Sequence, residues 1–236
     1  MKTNHKKSDL KTALSETDVH GIFERIAGIY DPANLRISLG LQSIWKQFLM
    51  RELMLHTPPG SRILDVCCGT GDIAIGLAQK RREFKITGVD FSKAMLSRAR
   101  SRRSALGLSD VMLIEADAHC LSFEDDSFRS TVISFGLRNT SDRKKVLLEM
   151  LRVTEPGGQL FCMDSFVPEN KLIQPLYRLY FEKLMPVLGG GLKYRNDYRW
   201  LANSTKDFYS PTGLAELFRS VGLQNIKIQK HLFGAC

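Results

Sequence analysis

Cysteine is scarce and follows no spacing. Five occur in 236 residues, at positions 67, 68, 120, 162 and 236. An odd, unpatterned set excludes a disulfide framework and points to a reducing compartment. Cys67 and Cys68 are adjacent, so they form no C-x-x-C redox centre. Zinc needs further Cys or His at ligand spacing, and the nearest, His119-Cys120, are adjacent to each other and far along the chain. No metal is expected. Long apolar runs are also lacking: no uninterrupted segment approaches the roughly 20 residues that span a bilayer. Repeats and low-complexity tracts are absent. The opening "MKTNHKKSDLK" is basic and polar with no apolar stretch behind it, which argues against a secretory leader. Residues 1–16 are therefore expected to be a flexible basic tail. The expected location is cytoplasmic, with room for peripheral attachment to the inner face of the membrane.

Acidic residues are in deficit. Lys and Arg total 34 against 25 Asp and Glu, a formal charge of +9. Such a balance favours anionic partners. The basic clusters at 79–83 and 98–103 read as solvated helix faces, and a third lies at 193–199. No nucleic-acid motif accompanies them, so no nucleic-acid partner is expected.

What is present is an alternation of strand and helix. Residues 17–57 read as helical, with Leu41, Ile44, Trp45, Phe48 and Leu49 on one face and Gln42, Lys46, Gln47 and Arg51 opposite. "TPPG" at 57–60 closes this region. Strands are expected at 62–67, 84–90, 111–117, 129–135 and 159–166. Helices are expected after the glycine loop, behind Ser92 as N-cap, and over 142–153, where "EPGG" stops the helix. The pattern implies an α/β, doubly wound, mostly parallel Rossmann-like sheet. Residues 17–236 form one domain, with an N-terminal helical lid at 17–57 and a helical insertion at 167–205. A helix at 210–222 and a strand at 223–232 close the chain.

The stretch "ILDVCCGTGDIA" (63–74) carries Gly69-Thr70-Gly71 between a strand and a helix, and Asp90 ends the next strand. NAD, FAD and S-adenosylmethionine sites share this pattern. Charge narrows the choice. A pyrophosphate at the helix N-terminus would be repelled by Asp72. With Asp65 at the strand end, the pocket suits ammonium and sulfonium groups, and Asp90 suits a ribose. Asp117-Ala118 offers an acceptor and a small residue for an adenine ring. Ser134, Arg138 and Asn139 follow the fourth strand at the carboxyl edge, where ligands bind in such sheets. Cys67 and Cys68 read as packing under the turn.

These stretches, together with "YDPANLRISLGLQSIWK" (30–46), "VDFSKAML" (89–96), "ISFGLRNTSDRKKVLLEMLRVTEPGG" (133–158), "LYRLYFEKLMPVLGG" (176–190) and "YRWLANS" (198–204), resemble the UbiE/MenG/Coq5 family of C-methyltransferases. The glycine loop marks only a class I methyltransferase; "FGLRN" and the 30–46 segment are specific to the family.

The resemblance implies methylation of a polyprenylated quinol ring carbon by S-adenosylmethionine, leaving S-adenosylhomocysteine. The substrate would be demethylmenaquinol, 2-methoxy-6-polyprenyl-1,4-benzoquinol or both, in menaquinone or ubiquinone biosynthesis. It puts Thr70, Asp90, Asp117, Ala118 and Ser134 at the cofactor, beside Asp65, Gly69 and Gly71 of the loop read above, and Arg138 and Asn139 at the quinol. Tyr30, Asp31 and Asn34 would lie on a lid over the donor, and residues 171–192 with 41–54 would line an apolar channel for the prenyl tail. Relatives of the class usually continue with an antiparallel strand, which here is short or missing. Three alternatives stay open: another small-molecule O- or N-methyltransferase, a non-catalytic S-adenosylmethionine-binding protein, and a dinucleotide oxidoreductase.

Overall fold

The computed structural model describes residues 16–236, so the basic tail expected at the N-terminus lies outside the described residues except for Glu16, which opens a helix. Three helices come first: α1 (Glu16–Ile26), α2 (Tyr30–Ile37) and α3 (Leu41–His56). The alternating core follows as β1 (Arg62–Val66), α4 (Asp72–Lys80), β2 (Lys85–Asp90), α5 (Lys93–Ala105), β3 (Met112–Glu115), β4 (Phe128–Ser134), α6 (Arg143–Val153) and β5 (Thr154–Met163). Short helices α7 (Gln174–Leu179) and α8 (Met185–Gly190) flank a π-helical turn, Tyr180–Leu184, and α9 (Arg195–Lys206) and α10 (Pro211–Ser220) complete the set.

The five strands form one parallel sheet in the order β3-β2-β1-β4-β5. β1 is central and buried from Ile63 to Val66, which is why it is nearly continuously apolar. Its side chains alternate between two cores. Ile63 joins the α3, α4 and α5 side; Leu64 and Val66 join the side covered by α6 and α10. Helix starts follow local chemistry: Ser92, Asp142 and Ser210 each cap a helix by accepting from a backbone N–H three residues on. Strand order reverses between β1 and β4, so their carboxyl ends open a crevice.

Three expectations need correction. "EPGG" does not separate helix from strand. β5 begins at Thr154, which pairs with Phe128, and the register then shifts so that Gln159 pairs with Ser130. The four residues form a bulge on an edge strand, where proline is tolerated. Gly158 is required there, because a Cβ would lie 2.7 Å from the Arg129 carbonyl oxygen. Second, residues 223–232 form no strand. A cavity of about 880 Å³ lies between them and β5, so this segment has no ladder to join, and Asn225 breaks its extended run with φ +52°. The sheet is thus wholly parallel, without the antiparallel closing strand. Third, α3 is rotated from the face expected. Ile44 is 61% exposed, while the Lys46 side chain is only 14% exposed and points inward.

Helices α1 and α2, the start of α5 and the 180–202 segment share a third core around Tyr198, with Ile22, Ile26, Ala33, Met95 and Met185. Arg25 of α1 donates to Asp197 of α9 at 2.6 Å. The Tyr180 hydroxyl donates to the Ile37 carbonyl at the end of α2. Gly189 lies so close to the Tyr198 ring that a Cβ would sit 2.4 Å away. The large cavity has Trp45, Phe48 and Leu49 of α3 on one wall and β5, α10 and residues 222–231 on most of the others; residues 171–192 do not line it. Among the described residues, no helix is long and apolar enough to cross a membrane.

Candidate active site

The glycine loop leaves β1 through three left-handed residues, Cys67 (φ +55°), Gly69 (φ +54°) and Gly71 (φ +82°). At Gly71 a Cβ would also lie 2.9 Å from Ile75 Cδ1. The cysteines pack: Cys68 Sγ lies 3.0 Å from where a Cβ would stand on Gly88, and Cys67 fills the space against Gly136.

The aspartates divide the work. Asp65, 1% exposed, accepts from the Ala74 N–H at 3.0 Å and so fixes the first turn of α4. Burial, with Asp90 nearby, pushes its carboxyl up to about 8. Asp90 accepts from the Gly69 N–H at 2.8 Å and the Ser92 N–H at 2.9 Å, which ties the loop to the end of β2. Burial raises it to about 6 despite those bonds. Asp72 behaves differently from the sequence reading. Its two oxygens accept from Lys46 and Arg102, each at 2.6 Å. Burial works to raise its carboxyl, but the two cations outweigh it and hold it below the usual range. Its charge is answered by the protein itself. Arg102 therefore does not lie on a merely solvated face; it also donates to the Thr70 carbonyl at 2.9 Å. Asp31 of α2 accepts from the Thr70 hydroxyl at 2.7 Å.

Asp117 is exposed beside buried Ala118. It accepts from the His119 backbone N–H at 2.9 Å and pairs with His119 Nδ1 at 2.7 Å. Burial raises its carboxyl, but these bonds bring it below the usual range. The Ser134 hydroxyl is buried without a hydrogen-bond partner.

Arg138 and Asn139 sit on a turn after β4 in which Phe135 takes φ +57°. The Phe135 carbonyl accepts from Arg138 Nη1 at 2.9 Å and from the Asn139 amide at 3.2 Å, which holds the strained turn. Arg138 makes a buried ion pair with Asp164 through Nη1, and its backbone N–H donates to the second carboxylate oxygen at 3.0 Å. The side chains are 10% and 0% exposed. Burial works to lower the guanidinium, but Asp164 more than restores it, so Arg138 is a firm cation. Its Nε is buried and unpartnered. Asn139 Oδ1 accepts from Ser204 of α9 at 2.9 Å, which leaves one amide hydrogen free for a ligand.

Among the described residues, Lys46 and Arg102 meet at the start of α4 and are both held by Asp72, so neither is left there for a pyrophosphate, which disfavours a dinucleotide. Asp65, pushed up to about 8, and Asp72, neutralised by its two cations, do not supply the net negative charge expected from the sequence, and Asp90 and the unpartnered Ser134 hydroxyl remain as polar groups for a nucleoside donor. Residues 11–236 match the ubiE/COQ5 methyltransferase family. The chain belongs to that family.

Among its relatives, the demethylmenaquinone methyltransferase of Geobacillus kaustophilus is 40% identical over 221 residues, covering 93% of this chain and 94% of that one. The protein of the same name from Listeria welshimeri is 38% identical, covering 95% of each chain. A SAM-dependent methyltransferase from Aquifex aeolicus shares the fold at a TM-score of 0.61 and 18% identity, over 88% of this chain and 92% of that one. Phosphoethanolamine N-methyltransferase 2 of Haemonchus contortus, in complex with S-adenosyl-L-methionine, does so at 0.58 and 20%, over 78% and 38%. By its family and its curated relatives, this chain is an S-adenosylmethionine-dependent methyltransferase.

Several site residues of this family member were missed from sequence. Asp164 directly follows β5 at the same carboxyl edge that singled out Arg138, so position alone pointed to it. Lys46 and Arg102 gave no such signal, because each lies in a helix whose polar positions read as solvent-facing. Glu24 of α1, which accepts from Ser92 at 2.8 Å and from the Ala94 N–H at 3.1 Å, is in the same position.

Proposed function

We propose that this enzyme methylates the ring carbon of a polyprenylated quinol, with demethylmenaquinol as the substrate. One observation carries the reading: a firm, buried cation, Arg138, stands at the carboxyl edge with an unpartnered Nε, beside the donor loop. The names and high coverage of the curated relatives support the same substrate.

S-adenosylmethionine, when bound, supplies an electrophilic methyl group. Gly69, Thr70, Gly71, Asp90, Asp117, Ala118 and Ser134 would hold it, with Asp65 keeping the loop in shape. Arg138 cannot take a proton, because it is already charged. It stabilises instead the phenolate oxygen beside the reacting carbon, formed as the phenol gives its proton to water before the site closes, which raises the electron density on that carbon. After the methyl group arrives, the ring C–H proton returns to that oxygen and aromaticity is restored. Asn139 offers its remaining N–H to the ring. The lid, held over the loop by Asp31 and Lys46, excludes water and keeps the partners at near-attack distance.

Peripheral membrane attachment belongs to the same proposal. Leu172, Leu176, Leu179 and Leu192 are 86%, 70%, 56% and 86% exposed on the insertion, among Lys171, Arg178, Lys183 and Lys193. Leucines beside basic residues suit an anionic bilayer from which a prenylated substrate would be drawn.

The test is turnover. Purified enzyme with S-adenosylmethionine and chemically reduced demethylmenaquinone should yield menaquinol, one CH₂ heavier by mass spectrometry. The methoxy-polyprenyl-benzoquinol serves as the second substrate. No methylation of either ring, by folded protein that binds the donor, would refute the proposal. Sedimentation with phosphatidylglycerol vesicles tests attachment, which Leu172→Ser with Leu176→Ser should weaken.

A further inference from the structure

Past the end of β3, a carboxylate, an imidazole and a hydroxyl stand in line. Asp117 Oδ1 pairs with His119 Nδ1 at 2.7 Å. The other ring nitrogen, Nε2, lies 3.2 Å from the Ser141 hydroxyl and 3.3 Å from the Asp142 backbone nitrogen. The order is that of a nucleophilic triad. The Asp142 N–H, however, donates into the lone pair that a triad reserves for its serine, so Nε2 is an anchor and not a base. A backbone N–H can only donate, so Nε2 carries no proton. Nδ1 holds it and donates to Asp117. The His119 backbone N–H donates to the same oxygen at 2.9 Å. With both bonds on Oδ1, the Oδ2 atom is left for a ligand.

The geometry points to His119 as a positioning residue for the methyl donor. It holds the Asp117 carboxylate so that Oδ2 accepts from the 6-amino group of adenine. This inference rests on Asp117 as an adenine contact and goes further, because it assigns what fixes the carboxylate's rotation. Asp117 is well placed for the base: the Ala116 N–H donates to the Asp90 carbonyl at 3.0 Å, so Asp117 comes one residue beyond the rung at the ribose carboxylate. Its side chain is 58% exposed, whereas that of His119 is 12% exposed. An open carboxylate swings freely unless something packed restrains it. The imidazole is that restraint, gripped at one end by the carboxylate and at the other by the start of α6.

The loop behind His119 is fastened to the same helix. The Leu121 N–H donates to Glu149 at 2.8 Å, and Arg152 donates to the Leu121 and Phe123 carbonyls, each at 2.8 Å. Asp117 therefore meets the adenine already oriented, and little of that bond is spent on ordering it. No proton or electron passes through His119.

The test deletes the ligand's amino group and the ring's N–H in turn. Calorimetry compares S-adenosylhomocysteine with the analogue that carries hydrogen in place of the 6-amino group. Wild-type protein should bind the first about tenfold more tightly, the size of one hydrogen bond to a charged group. His119→Phe keeps a packed ring and loses both nitrogens. Its preference should shrink to about threefold or less, through weaker binding of S-adenosylhomocysteine alone. His119→Asn sets an amide N–H close to where Nδ1 stands and should keep most of the preference. His119→Gln reaches toward Asp142 instead and should lose it. That pair carries the test if the phenylalanine variant does not fold. Undiminished preference in His119→Phe or His119→Gln would overturn the inference. Equal weakening of both ligands, the mark of a merely structural role, would overturn it too. Asp117→Ala reads the parent assignment separately and should abolish the preference. Wild-type protein with no preference would remove Asp117 from the adenine, and this inference with it.

Discussion

Lys46 of α3 donates to Asp72 at the first turn of α4 across 2.6 Å. That bond joins α3 to the turn that follows the glycine loop. Arg102 takes the other carboxylate oxygen at 2.6 Å, so one aspartate clasps three segments of the chain.

Lys46→Met removes the clasp and keeps the side chain's length. Release of S-adenosylhomocysteine should speed up by roughly threefold to tenfold, since the pair is partly shielded and worth somewhat more than an exposed one. Wild-type release should also quicken as salt rises. Trp45, adjacent in sequence, provides the stopped-flow fluorescence signal. An unchanged release rate would show that the clasp does not govern the lid.

Asp164→Ala leaves Arg138 charged and buried without its partner. Global stability should drop by about 3–5 kcal/mol in urea unfolding. Arg138→Lys keeps charge and loses the fork; its kcat should fall roughly 100-fold with donor affinity intact, the scale of losing one preorganised charge stabiliser. A mild loss of kcat with a large rise in donor KM would move Arg138 out of the reaction.

Asp65 sets a pH dependence of stability. Its carboxyl is raised in the folded protein to about 8, from an ordinary value of 3.8. Between those values the unfolded chain has given up the proton and the folded one has kept it. Stability therefore falls as pH rises from about 4 to about 8, and levels off above. Asp65→Asn should flatten that slope and melt higher than wild type at pH 8 in the absence of ligand. Parallel curves for the two proteins would remove Asp65 as the cause.

Gly71→Ala adds a clash with Ile75 to a left-handed backbone. The expected loss is about 1–3 kcal/mol, with donor binding abolished in calorimetry. Gly107→Ala is the comparison: it shares positive φ, at +61°, but has open space around it. It should cost less and leave donor binding unchanged. Equal behaviour of the two would reduce the effect at Gly71 to backbone strain.

The order of strands and helices could be read from the chain because it is written locally, in apolar runs, caps and glycines. Asp90, Asp117 and Arg138 were readable for a second reason: in a parallel sheet the carboxyl ends converge wherever the sequence leads. What stayed hidden depends on distance in sequence. Lys46 and Asp72 are 26 residues apart and Arg25 and Asp197 are 172 apart; nothing near either residue records the other. The strand expected at 223–232 failed for the same reason. Its composition suits a strand, but a strand exists only beside a neighbour, and the space along β5 holds a cavity instead.

That one-sided edge has a kinetic consequence. β5 is hydrogen-bonded along its length to β4 alone, and Asp164 is the residue that follows its last rung. Fraying of a single ladder therefore carries Asp164 out of register with Arg138 while the rest of the sheet stays intact. Heating should then silence the enzyme before it melts: the temperature at which turnover fails belongs to the edge of the sheet, and the melting temperature to its centre.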